Sequence, residues 1–265
     1  MPDSTAENEF TITILGSGTC VPSLKRGPCS VLMEIGPDKL LFDSGPGTMR
    51  RLLETGVTIF DISFVFYSHL HPDHTSELVP LLFATKYPDQ NLRKTILRIL
   101  AGRGFFKFFR GLEKVYGKWI HLENGLMNIV ELNNTTRDRM CFDHFMVHSI
   151  PVAHNEESLA FRIEDNRGRS VVYSGDTDFS ENLIELSANA DLLICESSTP
   201  DNMKIPGHLT PSLAGEIAAR SGVKKLLLTH FYPECDTVDI ANECRRSYDG
   251  KLVLAEDLMK IRIST

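Results

Sequence analysis

An α/β fold with its chemistry gathered along one edge is predicted by three features of this sequence. Strand-like apolar runs alternate with segments of helical spacing, and no low-complexity linker interrupts them. A faint echo links the halves: LLFDSG and then FVFYSH in the first, VVYSGD, LLICESS and LLLTH in the second, each an apolar strand ending in Asp, His or Glu beside a small residue. The stretch SHLHPDH sets His69, His71, Asp73 and His74 directly after the apolar run at residues 62–67. Two halves of like design bring their strand ends to one edge, where α/β proteins usually place their sites. Residues 1–265 are therefore expected to form one domain of two like halves.

The first strand, residues 10–15 (FTITIL), breaks into Gly16-Ser17-Gly18-Thr19. That sequence fits either a tight turn or a close approach of backbone amides to an anion. Residues 30–35 and 39–43 flank Gly36-Pro37-Asp38 as a hairpin, and Asp43 ends its second strand just before Ser44-Gly45-Pro46-Gly47. Residues 48–55 have helical spacing up to Gly56, and residues 76–87 read as a helix with Pro80 near its start. Residues 95–100 read as a strand.

In residues 104–119, Phe105, Phe106, Phe108 and Phe109 interleave with Lys107, Arg110, Lys114 and Lys118. The favoured reading is an amphipathic helix with aromatics packed inward and cations solvated. The other is an entrance for a phosphate-bearing ligand. Strands follow at residues 127–132, 145–150, 158–163 and 170–173, then a helix at 180–187 and a strand at 192–198. Residues 210–220 carry Thr210 as N-cap and Pro211 at the first helical position, and lead into the strand VKKLLLTHF.

The formal net charge of −7 argues against a general nucleic-acid binder, so a polyanionic substrate would be met by a local patch or by metal. Six cysteines without a CxxC pair point to free, mostly buried thiols and a reducing, cytoplasmic setting. MPDSTAENEF shows neither a basic nor an apolar leader region, and no apolar run approaches the roughly 20 residues of a membrane span.

Imidazole and carboxylate ligate divalent transition metals. His69 and His71, alternate residues of an extended segment, can grip one ion, while Asp73 and His74, past a turn at Pro72, face a second. By chance HxHxDH should arise on the order of once per thousand such chains, so a metal site outweighs scattered polar residues. Four further residues stand at strand ends or loops: His154, Asp176, His208 and His230. Two ions sharing one carboxylate need about seven protein donors, and His69, His71, His154, Asp73, His74, His230 and Asp176 supply them. Paired ions of this kind serve the hydrolysis of esters and phosphoesters.

LGSGTCVPS, LLFDSGPGT, YSHLHPDH, the Pro-Val-x-His stretch at His154, YSGDT, GHLT and LTHFYP occur in that order. Together they resemble the metallo-β-lactamase superfamily, and more closely its ribonuclease Z-like branch. The resemblance implies a four-layer αβ/βα sandwich, two mixed sheets flanked by helices with metals at one edge. It also implies that His69, His71 and His154 bind one metal, that Asp73, His74 and His230 bind another, and that Asp176 bridges them. Asp43 resembles the family's buried Asp that hydrogen-bonds the metal loop, and His208 the histidine that assists the leaving group, with Glu196 orienting it. Asp73 would help position or deprotonate the attacking water. The implied cofactors are two divalent ions, zinc by default with manganese or iron as alternatives.

Family members that process transfer RNA carry a long arm between the motif histidine and the bridging Asp. His154 and Asp176 are only 22 positions apart, leaving no room for one. The expected function is thus a dinuclear phosphodiesterase acting on a small-molecule or nucleotide phosphodiester. The alternatives are hydrolysis of a carboxyl, thio or sulfate ester or lactone on the same centre, and RNA 3′-processing. No membrane partner is expected, and a homodimer is compatible with the chain.

Overall fold

The computed structural model describes residues 9–87, 93–123 and 125–264. In chain order the strands of the first sheet are β1 (Phe10–Gly16), β2 (Ser30–Ile35), β3 (Asp38–Phe42), β4 (Phe64–Tyr67), β5 (Leu97–Gly102) and β6 (Met127–Leu132). Those of the second are β7 (Asp138–Cys141), β8 (Phe145–Pro151), β9 (Leu159–Asp165), β10 (Ser170–Tyr173), β11 (Leu192–Glu196), β12 (Lys225–Thr229) and β13 (Lys251–Leu254). A last strand, β14 (Lys260–Arg262), returns to the first sheet beside β1. The sheet orders are β14-β1-β2-β3-β4-β5-β6 and β13-β12-β11-β10-β9-β8-β7. Each is mixed: β3 to β6 and β10 to β13 run parallel, while β14-β1-β2-β3 and β7 to β10 are antiparallel.

Side-chain alternation makes the layers. On β3 and β4, Leu40, Phe42, Phe64 and Phe66 face a core shared with Phe145, Phe161 and Tyr173 of the second sheet. Leu41, Val65 and Tyr67 face the opposite way, toward Leu52 of α1 (Thr48–Glu54), Leu81 of α3 (Leu78–Ala84) and Phe105 of α4 (Phe105–Tyr116). Helices α5 (Glu181–Leu186), α6 (Pro211–Ser221) and α7 (Ile240–Cys244) contribute Leu183, Ile217 and Cys244 to packing on the second sheet. The result is the four-layer sandwich. Phe42 stacks on Phe66 at 4.6 Å, with Phe161 and Tyr173 edge-on at 5.9 and 5.6 Å, so aromatic packing clamps the sheets together next to the strand ends.

Several elements depart from the sequence expectations. Past Pro72 the chain forms a short helix, α2 (Pro72–Thr75), because Pro occupies the first helical position, where its missing N–H costs nothing. The helix expected over 76–87 spans only Leu78–Ala84. Strands β7, β13 and β14 and helix α7 had no visible pattern; all are short and, apart from α7, lie at sheet edges with half-exposed residues. The Gly16–Gly18 segment is packed as a turn: a Cβ on Gly16 would meet the Pro28 carbonyl oxygen at 2.0 Å, and the Gly18 amide donates to Gly27 at 2.8 Å. In α4, Phe105 and Phe109 are buried and Phe108 half-buried, Phe106 stays exposed, and Lys107, Arg110 and Lys114 are solvated. Between His154 and Asp176 lie only β9, β10 and short turns. No helix among the described residues is long and apolar enough to cross a membrane.

Candidate metal centre

Strand ends at one edge, with the loops that follow them, carry the titratable groups. Asp43 follows β3, His69 to His74 follow β4, His154 follows β8, Asp176 follows β10, Glu196 closes β11 and His230 follows β12. Asp43 and His230 adopt φ of 57° and 62°, a left-handed backbone that non-glycine residues seldom take. Such strain persists where surrounding bonds over-determine it, and it clusters at functional sites.

The donors converge on Asp176. Its Oδ2 lies 3.6 Å from His69 Nε2 and 3.4 Å from His74 Nε2, while Oδ1 lies 3.3 Å from His230 Nε2. Asp73 Oδ2 stands 3.8 Å from His74 Nε2 and 3.9 Å from His230 Nε2. His71 Nδ1 and His154 Nε2 approach to 3.3 Å. Ligand atoms of His69, His71, His154 and Asp176 lie within 4.8 Å of one another, as do those of Asp73, His74 and His230, and of Asp176, His208 and His230. All seven donors named from the sequence lie in these three groups, the third of which adds His208.

Hydrogen bonds fix which nitrogen each ring offers. The His74 Nδ1–H donates to Asp43 Oδ2 at 2.8 Å. The Ser68 hydroxyl spends its proton on Asp43 Oδ2 at 2.7 Å, so it accepts from His69 Nδ1–H at 3.0 Å. His154 Nδ1–H donates to the Gly207 carbonyl at 2.8 Å. The Ser198 hydroxyl donates to Glu196 Oε2 at 2.7 Å and so accepts from His230 Nδ1–H at 3.0 Å. Four imidazoles thus turn their Nε2 atoms inward. Those of His69, His74 and His230 are buried with no hydrogen-bond partner. Buried polar atoms are rarely left so, and a cation among them satisfies every one. The donor set fits divalent metal.

Electrostatics divide the rings. Burial pushes His69 and His71 below the ordinary imidazole range. For His74 burial acts the same way but is outweighed by Asp176 and Asp43, which hold its proton well above that range. Burial would raise Asp176 and Asp73, yet neighbouring histidines keep both carboxyls below the usual carboxylate range. His208 Nδ1 lies 3.0 Å from Glu196 Oε1, and this contact overcomes burial to raise the imidazole. Glu196 is itself held by the Thr177 amide at 2.8 Å and the Leu209 amide at 3.1 Å.

A model of the β-lactamase superfamily domain matches residues 38–231. The chain belongs to the metallo-β-lactamase superfamily. Within it the chain is ribonuclease Z-like, and it is a metal-dependent hydrolase. The uncharacterized protein Rv1339 of Mycobacterium tuberculosis is 30% identical over 75% of this chain and 73% of its own length. Ribonuclease Z of Brevibacillus brevis is 29% identical over 86% of this chain and 87% of its own. The crystal structure of human tRNase Z, short form, superposes with TM-score 0.77 at 26% identity, covering 96% of this chain and all of that one.

The sequence reading missed the residues that set the rings. Ser68, Tyr173, Thr177, Ser198 and the Gly207 carbonyl have no metal-ligand chemistry of their own. Only adjacency to candidate site residues, Ser68 before His69, Thr177 after Asp176, Gly207 before His208 and Ser198 two past Glu196, could have flagged four of them. A cavity of about 760 Å³ has no histidine in its lining. It sits on the outer side of the metal loop, between Leu70, Val79, Phe83, Phe108, Leu112 and Trp119.

Proposed function

We propose that the chain is a phosphodiesterase holding two divalent ions, zinc by default, and acting on a small or nucleotide phosphodiester. The observation that carries this reading is the clustering of seven donors, Asp176 among them and three of them buried orphan nitrogens, with a Glu196-held His208 beside them. His69, His71 and His154 would hold one ion, Asp73, His74 and His230 the other, and Asp176 would lie between. Bound cations would polarise phosphoryl oxygens and lower the pKa of an attacking water.

This chain's own residues supply the proton handling. Asp73 is held as a carboxylate, only partly buried, and can accept a proton from water. His208 donates its Nδ1–H to Glu196, which leaves Nε2 as the nitrogen that exchanges a proton with a departing alkoxide. Glu196 keeps that imidazole protonated to higher pH than burial alone would allow. The short β9–β10 hairpin supports a compact substrate. RNA 3′-processing is the second reading, favoured by similarity to proteins named ribonuclease Z. The same proposal takes residues 1–265 as one domain with two like halves.

The test is hydrolysis of bis(p-nitrophenyl) phosphate by metal-quantified protein beside Asp73→Ala and His208→Ala. Activity with two metals per chain, abolished in the first variant and cut about 10²–10⁴-fold in the second, supports the reading. Two metals without activity refutes it, and thioester, lactone and sulfate-ester substrates then come first.

A further inference from the structure

The Ser198 hydroxyl stands between two histidines with different tasks. It donates to Glu196 Oε2 at 2.7 Å and lies 3.0 Å from His230 Nδ1 and 3.1 Å from His208 Nδ1. A hydroxyl has one proton and two lone pairs: here the proton goes to Glu196 and one lone pair takes the His230 Nδ1–H, while the other faces His208 Nδ1, whose single proton is held by Glu196 Oε1. Ser198 is fully buried, so water cannot substitute for it. Its orientation is itself enforced, because Glu196 is an acceptor only, and its Oε1 is occupied by the Thr177 amide and by His208.

We infer that Ser198 is a positioning residue that locks His230 in its Nδ1–H form and, through its own bond to Glu196, couples that ring to the His208 ring that Glu196 holds. Without that oxygen, His230 Nδ1 faces no acceptor. Its ring is then free to carry the proton on Nε2, the nitrogen 3.3 Å from Asp176 Oδ1, and an Nε2–H would hydrogen-bond that carboxylate in place of ligating a cation. Glu196 loses one donor, which loosens its hold on His208. The inference rests on the metal-centre reading above for its consequence in affinity, and on geometry alone for the tautomer.

The experiment compares Ser198→Ala with the isosteric pair Ser198→Thr and Ser198→Val, which differ only in the hydroxyl. Imidazole ¹⁵N shifts of metal-free protein report the tautomers, and Zn²⁺ competition against a chromophoric chelator reports affinity. Wild type and Ser198→Thr should show His230 as Nδ1–H. Ser198→Ala and Ser198→Val should populate Nε2–H and lose roughly 10–100-fold in Zn²⁺ affinity. If Ser198→Ala does not fold, the Thr and Val pair decides. Retention of the Nδ1–H form and wild-type affinity without the hydroxyl would overturn the inference. Failure of wild type to take up Zn²⁺ would instead remove the metal-centre reading, while the tautomer shifts would still judge Ser198.

Discussion

Removing the Asp43 carboxylate should cost more than removing any one metal-facing ring, because it ties the two sheets together at the site. Asp43 is fully buried and accepts four hydrogen bonds: from the Ser68 amide at 2.8 Å, the Ser68 hydroxyl at 2.7 Å, the Tyr173 hydroxyl at 2.7 Å and His74 Nδ1 at 2.8 Å. Tyr173 belongs to β10, in the opposite sheet. In Asp43→Ala these four donors face a void, with a protonated His74 among them. Each abandoned buried donor costs about 1–3 kcal/mol, and breaking a buried ion pair about 3–5 kcal/mol. Rearrangement recovers part of that sum, which leaves roughly 4 kcal/mol. For a chain of this size that lowers Tm by roughly 10 °C. Asp43→Asn keeps the volume and one acceptor oxygen but sets an amide N–H₂ against a donor, costing about 1–3 kcal/mol. The assay is urea unfolding of metal-free protein, with metal uptake measured in parallel. An Asp43→Ala variant within about 1 kcal/mol of wild type would refute the assignment of Asp43 as the buried anchor.

Three other outcomes follow from particular contacts. Gly45→Ala should displace the metal loop and abolish tight metal uptake, since its Cβ would fall 2.1 Å from the Asp73 carbonyl oxygen; metal content after dialysis checks this. Metal uptake should release protons near neutral pH, because Asp176 and Asp43 keep His74 protonated while His69 is already neutral. Affinity therefore rises with pH until the His74 proton is gone, and calorimetry in buffers of different ionisation enthalpy measures the release. Among the thiols, Cys20 and Cys141 are exposed and should react at once with an aromatic disulfide at pH 7.5. Burial pushes Cys29 and Cys235 up to about 12 and Cys244 to about 11, and raises Cys195 too, so these four should react only after unfolding.

Much of this centre was legible because its ligands sit where period and chemistry coincide. A buried parallel strand reads as a continuous apolar run, and the first polar residues after it must lie at the sheet edge. His69 to His74 after FVFY, Asp176 after SVVY and His230 after KLLLT are such residues, so the pattern put them at strand ends, while their grouping around ions came from the family resemblance. The same rule located Asp43 after DKLLF and Glu196 at the end of LLICE. Edge strands such as β7, with DRMC alternating between half-buried and exposed, carry no run long enough to stand out.

Residue type and hydrophobic pattern were enough to name the set of donors and most of the strands that deliver them, because ligand chemistry belongs to the one and strand burial to the other. Which atom each donor presents is settled only by packing. Ser68, Ser198 and the Gly207 carbonyl choose a tautomer through bonds of 3.0 Å or less, and partners as far apart in sequence as His154 and Gly207 meet only once the sheets have packed. A hydrogen bond is specified to tenths of an ångström in three dimensions, and no linear pattern encodes that.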